Sequence, residues 1–194
     1  MYRSGYRILI LVITMLAFSG AESVYGQSSN NGTTQRSYKV YLHFVSGGES
    51  SPGSVRLPKS IRSAFDDLRD ELVFNDYRLV STHFQRFSTG GQIQSQAILK
   101  KLGGFGLENW PIIMNWSLGA IENTNEAPGR VGFRRFTFGA RIPFVTGEKI
   151  SYEAIQYSLG RIDIKEGTPT VIGSLSIPQS NEMLFFVVSA KSED

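Results

Sequence analysis

The sequence has no cysteine, and only two histidines and two tryptophans among its 194 residues. Without cysteine there are no disulfides, no thiol nucleophile and no thiolate ligand for a metal. The histidines, His43 and His83, each fall inside a segment that reads as a strand. No H-x-x-x-H or H-E-x-x-H spacing and no nearby acidic cluster supplies a third ligand, so they read as ordinary strand residues. Also missing are a G-x-S-x-G elbow, an S-x-x-K pair, a Walker loop and a dinucleotide glycine fingerprint. Gly103-Gly-Phe-Gly106 is glycine-rich but lacks the helix start and lysine that cradle phosphate. Asp66, Asp67, Asp70 and Glu71 fall on the solvated side of a helix, interleaved with Arg62 and Arg69, where nothing splits their pKa values for acid–base work. These absences predict no catalytic residue, no metal and no cofactor, hence a protein that is not an enzyme. A formal charge of +3 is too mild to imply nucleic acid as a partner.

One long hydrophobic run is present, at the N-terminus. Arg3 and Arg7 precede Ile8 to Phe18, and small residues follow. That order is the plan of a secretory signal. At 1.5 Å per residue the run covers roughly half of a ~30 Å hydrocarbon core, too short to span it. Cleavage fits after Ala21 or after Gly26, and residues 1–26 are taken as the signal peptide. The membrane is then met only through the uncleaved signal during export, and the mature protein is expected in the periplasm or secreted from a bacterial envelope. Residues 27–37 are almost wholly polar and read as a disordered tether. Residues 38–194 have the length and the apolar content of a single domain.

Within that domain, Tyr38, Val40, Leu42 and Phe44 alternate at period two, a strand with one apolar face. Leu57, Ile61, Phe65, Leu68 and Leu72 recur at helical spacing behind Pro58, which suits a first turn. A long strand follows from Tyr77 to Phe87. This strand–helix–strand unit would allow the two strands to lie parallel. Gln92 to Lys101 fits either a short strand or a helical turn. Strands are then expected at Ile112 to Ile121, Val131 to Val145, Ile150 to Ile164, Thr170 to Ile177 and Met183 to Ala190, joined by short turns as in an antiparallel meander. The fold class expected is α+β in a single domain.

Two stretches invite a binding role. Arg134, Arg135 and Arg141 alternate with Phe136 and Phe138. Such residues could line a groove for an anionic polymer, or they could be the two sides of an ordinary half-buried strand. With Trp110 and Trp116, the same rings could line a pocket for a small apolar or anionic ligand. Leu184-Phe-Phe-Val-Val188 is apolar on both faces, which fits a central strand or an edge covered by a partner.

The ending carries a resemblance. Glu166-Gly167, Val171-Ile172-Gly173 and Leu184 to Val188 resemble the closing hairpin of secretin-type outer-membrane proteins. The front half is similar to small exported bacterial proteins of unassigned role. The chain departs from secretins in having no pore-forming β-domain and no Pro/Gly-marked gate. The resemblance implies a small envelope protein built on a similar β-module, not a channel. It makes Glu166, Gly167, Ile172, Gly173 and the strand Leu184, Phe185, Phe186, Val187, Val188 the expected interaction edge. The first reading is therefore a non-catalytic exported protein acting through a protein partner in the envelope or through self-association, as an accessory of an envelope or secretion assembly. The alternative is a periplasmic ligand-binding module, and a hydrolase with an unrecognised site stands behind both.

Overall fold

A computed structural model describes residues 36–48, 57–66, 68, 74, 76–122 and 128–193. The expected signal peptide, its cleavage positions, nearly all of the expected tether and Leu72 lie outside those residues.

The described chain forms eleven strands and one short helix. In order these are β1 (Ser37–Gly48), α1 (Lys59–Asp66), β2 (Asp76–Ser88), β3 (Ile93–Leu99), β4 (Ile112–Leu118), β5 (Ile121–Glu122), β6 (Arg130–Phe133), β7 (Phe136–Thr146), β8 (Lys149–Leu159), β9 (Ile162–Lys165), β10 (Thr170–Ser176) and β11 (Met183–Ser192). Sheet A has the order β10-β11-β1-β2, sheet B β3-β4-β7-β8 and sheet C β5-β6-β9. Every strand pairing between them is antiparallel.

The expected α+β class is overturned: this is a β protein with a single two-turn helix. β1 and β2 are antiparallel neighbours, in register from Ser37 opposite Ser88 to Gly48 opposite Asp76. The two strands are therefore an antiparallel pair and not the two parallel strands of a crossover unit. The helix covers a face of sheet A. Leu57, Ile61 and Phe65, the front of the predicted stripe, pack on Val45, Phe185 and Val187. Pro58 opens this turn, its carbonyl accepting from the amides of Ile61 and Arg62 at 3.1 and 3.2 Å.

The opposite face of sheet A meets sheet B. Phe186 is fully buried there, with ring centroids 5.0 Å from Phe136, Phe138 and Tyr157 and 5.8 Å from Phe44. Edge-to-face and tilted pairs of this kind each contribute about 0.5–1.5 kcal/mol beyond the area they bury. The apolar alternation of β1 and β7 is thus the two inner walls of one core.

The meander expected from Ile112 onward is present with one change. Three of its strands break, at 119–120, 134–135 and 160–161, where sheet B hands over to sheet C. The breaks are held level by backbone bonds, Gly119 N–H to Arg135 carbonyl at 2.6 Å and Arg134 N–H to Ala120 carbonyl at 3.0 Å. Gly119 permits this approach, since a Cβ there would lie 3.1 Å from the Arg135 amide nitrogen. The three ribbons bend together, and Phe133 of sheet C reaches Phe87 of β2, centroids 6.4 Å apart. Gln92 to Lys101 resolves as strand, β3 pairing along β4.

Candidate functional site

The outer face of sheet B is open, because no element among the described residues lies over it. On β7, Phe136, Phe138, Ala140, Ile142 and Phe144 point into the core, so Thr137, Gly139, Arg141, Pro143 and Val145 point out. Register then arranges the outer face in rows across the strands. One row is Gln94, Ser117, Thr137 and Ser158, and the next is Gln96, Asn115, Gly139 and Gln156. Ser117 and Thr137 share a hydroxyl–hydroxyl bond of 2.6 Å. Together these rows floor a shallow trough of about 780 Å³ whose lining carries no charged side chain. An adjoining hollow of about 430 Å³ continues past Gln96 and Gln156 to Ile113, Arg141 and Ala154.

Beyond Arg141 the same face turns apolar. Ile98 is 72% exposed, Val145 55%, and Trp110 and Tyr152 each 41%. Register puts Tyr152 opposite Pro143 and Val145 two residues further along, with Ile98 opposite Ile113. The Trp110 and Tyr152 rings lie 6.4 Å apart, and the Tyr152 hydroxyl donates to the Pro111 carbonyl at 3.1 Å. A 650 Å³ hollow runs from Trp110 along Asn109 and Glu108 to Lys100 and Lys101.

The connection between β3 and β4 that carries Trp110 is tied to sheet A through Gly104, whose amide donates to a carboxylate, Glu182, that is itself held in a buried ion pair. Arg78 of β2 bonds Glu182, their side chains 10% and 13% exposed. The Glu182 carboxylate also accepts from the Ser46 hydroxyl and the Gly104 amide, both at 2.7 Å. Gly103 adopts φ +67°, and a Cβ there would overlap the same carboxylate. This cluster escapes sequence reading because its members are far apart in the chain, Arg78 from Glu182 by 104 positions and Ser46 from Glu182 by 136.

The residues singled out from sequence fall into separate places. Arg134 and Arg135 are exposed at the handover between sheets B and C, and Arg141 stands on the open face of sheet B. Phe136 and Phe138 are buried beneath them, so no ring is available to stack on a polymer held by those arginines. Trp116 is 4% exposed and fills the core against His83, ring centroids 5.2 Å apart, whereas Trp110 is at the surface. The two tryptophans therefore do not share a pocket.

Of the expected interaction edge, Ile172 and Gly173 lie on β10, an edge strand of sheet A, but the strand Leu184 to Val188 is central. β11 pairs with β1 on one side and β10 on the other, Phe185 and Val187 meet the helix, and Leu184, Phe186 and Val188 face the core. Glu166 closes the turn between β9 and β10, accepting from both the hydroxyl and the amide of Ser192, and these bonds hold its carboxyl below the usual range. Gly167 takes φ +73° and donates its amide to the Ala190 carbonyl at 2.7 Å. Ile172 packs partly buried against the core. At Gly173 a Cβ would overlap the Tyr157 hydroxyl, so this glycine lets β8 and β10 meet at the seam of the sandwich.

His43 and His83 sit in neighbouring strands but on opposite faces of sheet A, since Leu42 is paired with His83 and His43 with Thr82. His43 bonds the Thr82 hydroxyl at 2.9 Å, and His83 bonds Ser81 at 3.2 Å. Burial lowers the pKa of both, and His83 lowers that of His43 further. Among the described residues no group of three or more His, Asp or Glu is placed to hold a metal ion, and no helix is long and apolar enough to cross a membrane.

The open face was within reach of sequence reasoning. The alternation of Thr137, Gly139 and Arg141 with buried rings was visible, but which strands lie beside β7 was not. No family model and no curated protein matches the chain. Among solved structures it is similar to the secretin InvG of the Salmonella SPI-1 type III secretion injectisome, residues 176 to the end, in the open-gate state. The identity is 10% and the TM-score 0.37, over 99% of this chain and 66% of that one. A likeness at that level is a weak one of fold and carries no functional argument.

Proposed function

We propose that this is a non-catalytic exported protein that acts by holding a protein partner in the bacterial envelope through the apolar end of sheet B. The observation that carries this reading is the gathering of Ile98, Trp110, Val145 and Tyr152, four of the six exposed large hydrophobic side chains among the described residues, at one end of one open face. Such side chains scattered singly need no explanation, but a contiguous apolar patch marks an interaction surface. Trp and Tyr are also the residues most often found at the energetic centre of an interface. The bond from the Gly104 amide to Glu182 supports the reading, since it ties the connection bearing Trp110 to the sandwich. Non-catalysis is argued from the residues that could do chemistry: cysteine is lacking, and the two histidines face away from each other and bond neutral hydroxyls.

The test is photo-crosslinking in intact cells, with the crosslinking residue at Ile98 or Tyr152 and a control at Gln85 on β2. A discrete protein adduct at the first two positions and none at the control supports the proposal. Equal yields at all three, or no adduct at any, overturn it.

A further inference from the structure

The polar trough on the same face lies outside the apolar patch. We infer that it is a binding site for a neutral, hydroxyl-rich chain, that is, a glycan.

The chemistry of the lining selects the class. Gln94, Gln96, Asn115 and Gln156 each offer an amide oxygen that accepts and an NH₂ that donates, and Ser117 and Thr137 offer hydroxyls that do both. Sugar hydroxyls also do both, so every group has a match whichever way the ligand lies. An anion would find one cation, Arg141 in the adjoining hollow, and none along the trough itself, and a cation would find no carboxylate, although the chain carries 20 Lys and Arg and 17 Asp and Glu. A protein interface would need aromatic or aliphatic side chains at its centre, and the outward positions of the two rows supply none.

Gly139 is the second observation. It sits inside β7, a strand paired on both sides, where glycine weakens the sheet and a β-branched residue would be preferred. A Cβ here would lie 2.5 Å from Asn115 Oδ1, so the glycine lets the Asn115 amide lie down across the sheet and keeps the floor low. Close approach of a ligand to backbone is a recognised reason for glycine within a strand. Rows crossing four strands at about 4.8 Å each make a track perpendicular to the strands, suited to an extended chain.

The test is nuclear magnetic resonance titration of the isotopically labelled mature protein with maltohexaose, cellohexaose and chitohexaose, and with a heparin hexasaccharide as the anionic probe. Saturable shifts at Gln96, Asn115 and Gly139 with at least one neutral probe are expected, and which probe acts identifies the sugar. Gln96→Ala with Gln156→Ala, both exposed positions, should weaken that binding at least about tenfold, as should Gly139→Val, which raises the floor. Tyr152→Ala should leave it unchanged, which separates this site from the protein-binding patch. Three outcomes each overturn the inference: no shifts in the trough with millimolar neutral probes, shifts with heparin alone, or binding that survives Gln96→Ala/Gln156→Ala.

Discussion

Sheets A and B are both four-stranded and antiparallel, but they are used differently. Sheet A is covered twice, by the core on one side and by α1 on part of the other, and it holds the buried Arg78–Glu182 pair. Sheet B is covered once, and its other face grades from neutral polar to apolar. A sheet buried on both faces reads as continuous apolar sequence, as at Leu184 to Val188, whereas a half-buried one alternates. In this molecule the continuous apolar strand is therefore scaffold. The alternating strands carry the surface available to a ligand.

Substitutions can press on that contrast. The largest effect is expected at Glu182→Ala, which leaves the buried Arg78 guanidinium with only the Asp76 carboxylate, 3.7 Å away, and the Ser46 hydroxyl without its acceptor; it should cost about 3–5 kcal/mol in urea unfolding. Arg78→Met with Glu182→Leu should recover only part of it, because the guanidinium goes but the Ser46 hydroxyl and the Gly104 amide still lose their acceptor and Asp76 loses its cation. Gly173→Ala comes next, at about 1–3 kcal/mol, since the new methyl meets the Tyr157 hydroxyl across the seam. Adding Tyr157→Phe should return part of that loss, a coupling readable in a double-mutant cycle.

Acid should act through sheet A. His43 and His83 have folded pKa values depressed by burial, so above the unfolded value of about 6.5 both states are neutral and nothing is lost. As pH falls below that, the unfolded chain takes up protons that the folded one does not, and stability drops until the folded pKa is passed. His83→Leu should flatten this limb below about pH 6.5 in pH-dependent unfolding. An unchanged limb would assign the acid sensitivity to other groups. Glu166 acts with the same sign at lower pH: its bonds from Ser192 are at full strength near neutrality and fail as the carboxyl is protonated. The smallest stability effects belong to the open face, where Ile98→Ser and Tyr152→Ala should each stay within about 0.5 kcal/mol while abolishing the crosslink. A large loss at either would show that the patch is part of the fold.

Much of this was legible beforehand. The inner walls of β1 and β7, the stripe Leu57, Ile61 and Phe65, and the turn positions from Thr146 to Gly167 all follow from local periodicity. The fold class did not, because periodicity says nothing about which strands become neighbours. A helix between two strands fits a parallel crossover and an antiparallel pair with a covering helix equally well. The same gap explains the misplaced edge: Leu184 to Val188 was read as either central or edge, and only its pairing to both β1 and β10 decides. The ion pair of Arg78 and Glu182 had no local signature at all.

The pairing of β1 with β11 has a consequence in time. Tyr38 is the partner of Ser192, and Gly47 of Met183. The first strand of the sandwich therefore cannot be enclosed until the last has been synthesised. Contacts between such distant positions require a long loop to close before they repay it, and they slow folding. Until then β1 presents a bare edge rich in valine and aromatic residues, the kind that pairs with other chains. An interval in an incompletely folded state is thus imposed by topology, and a chain truncated before Met183 should accumulate as aggregate and not as a smaller folded domain.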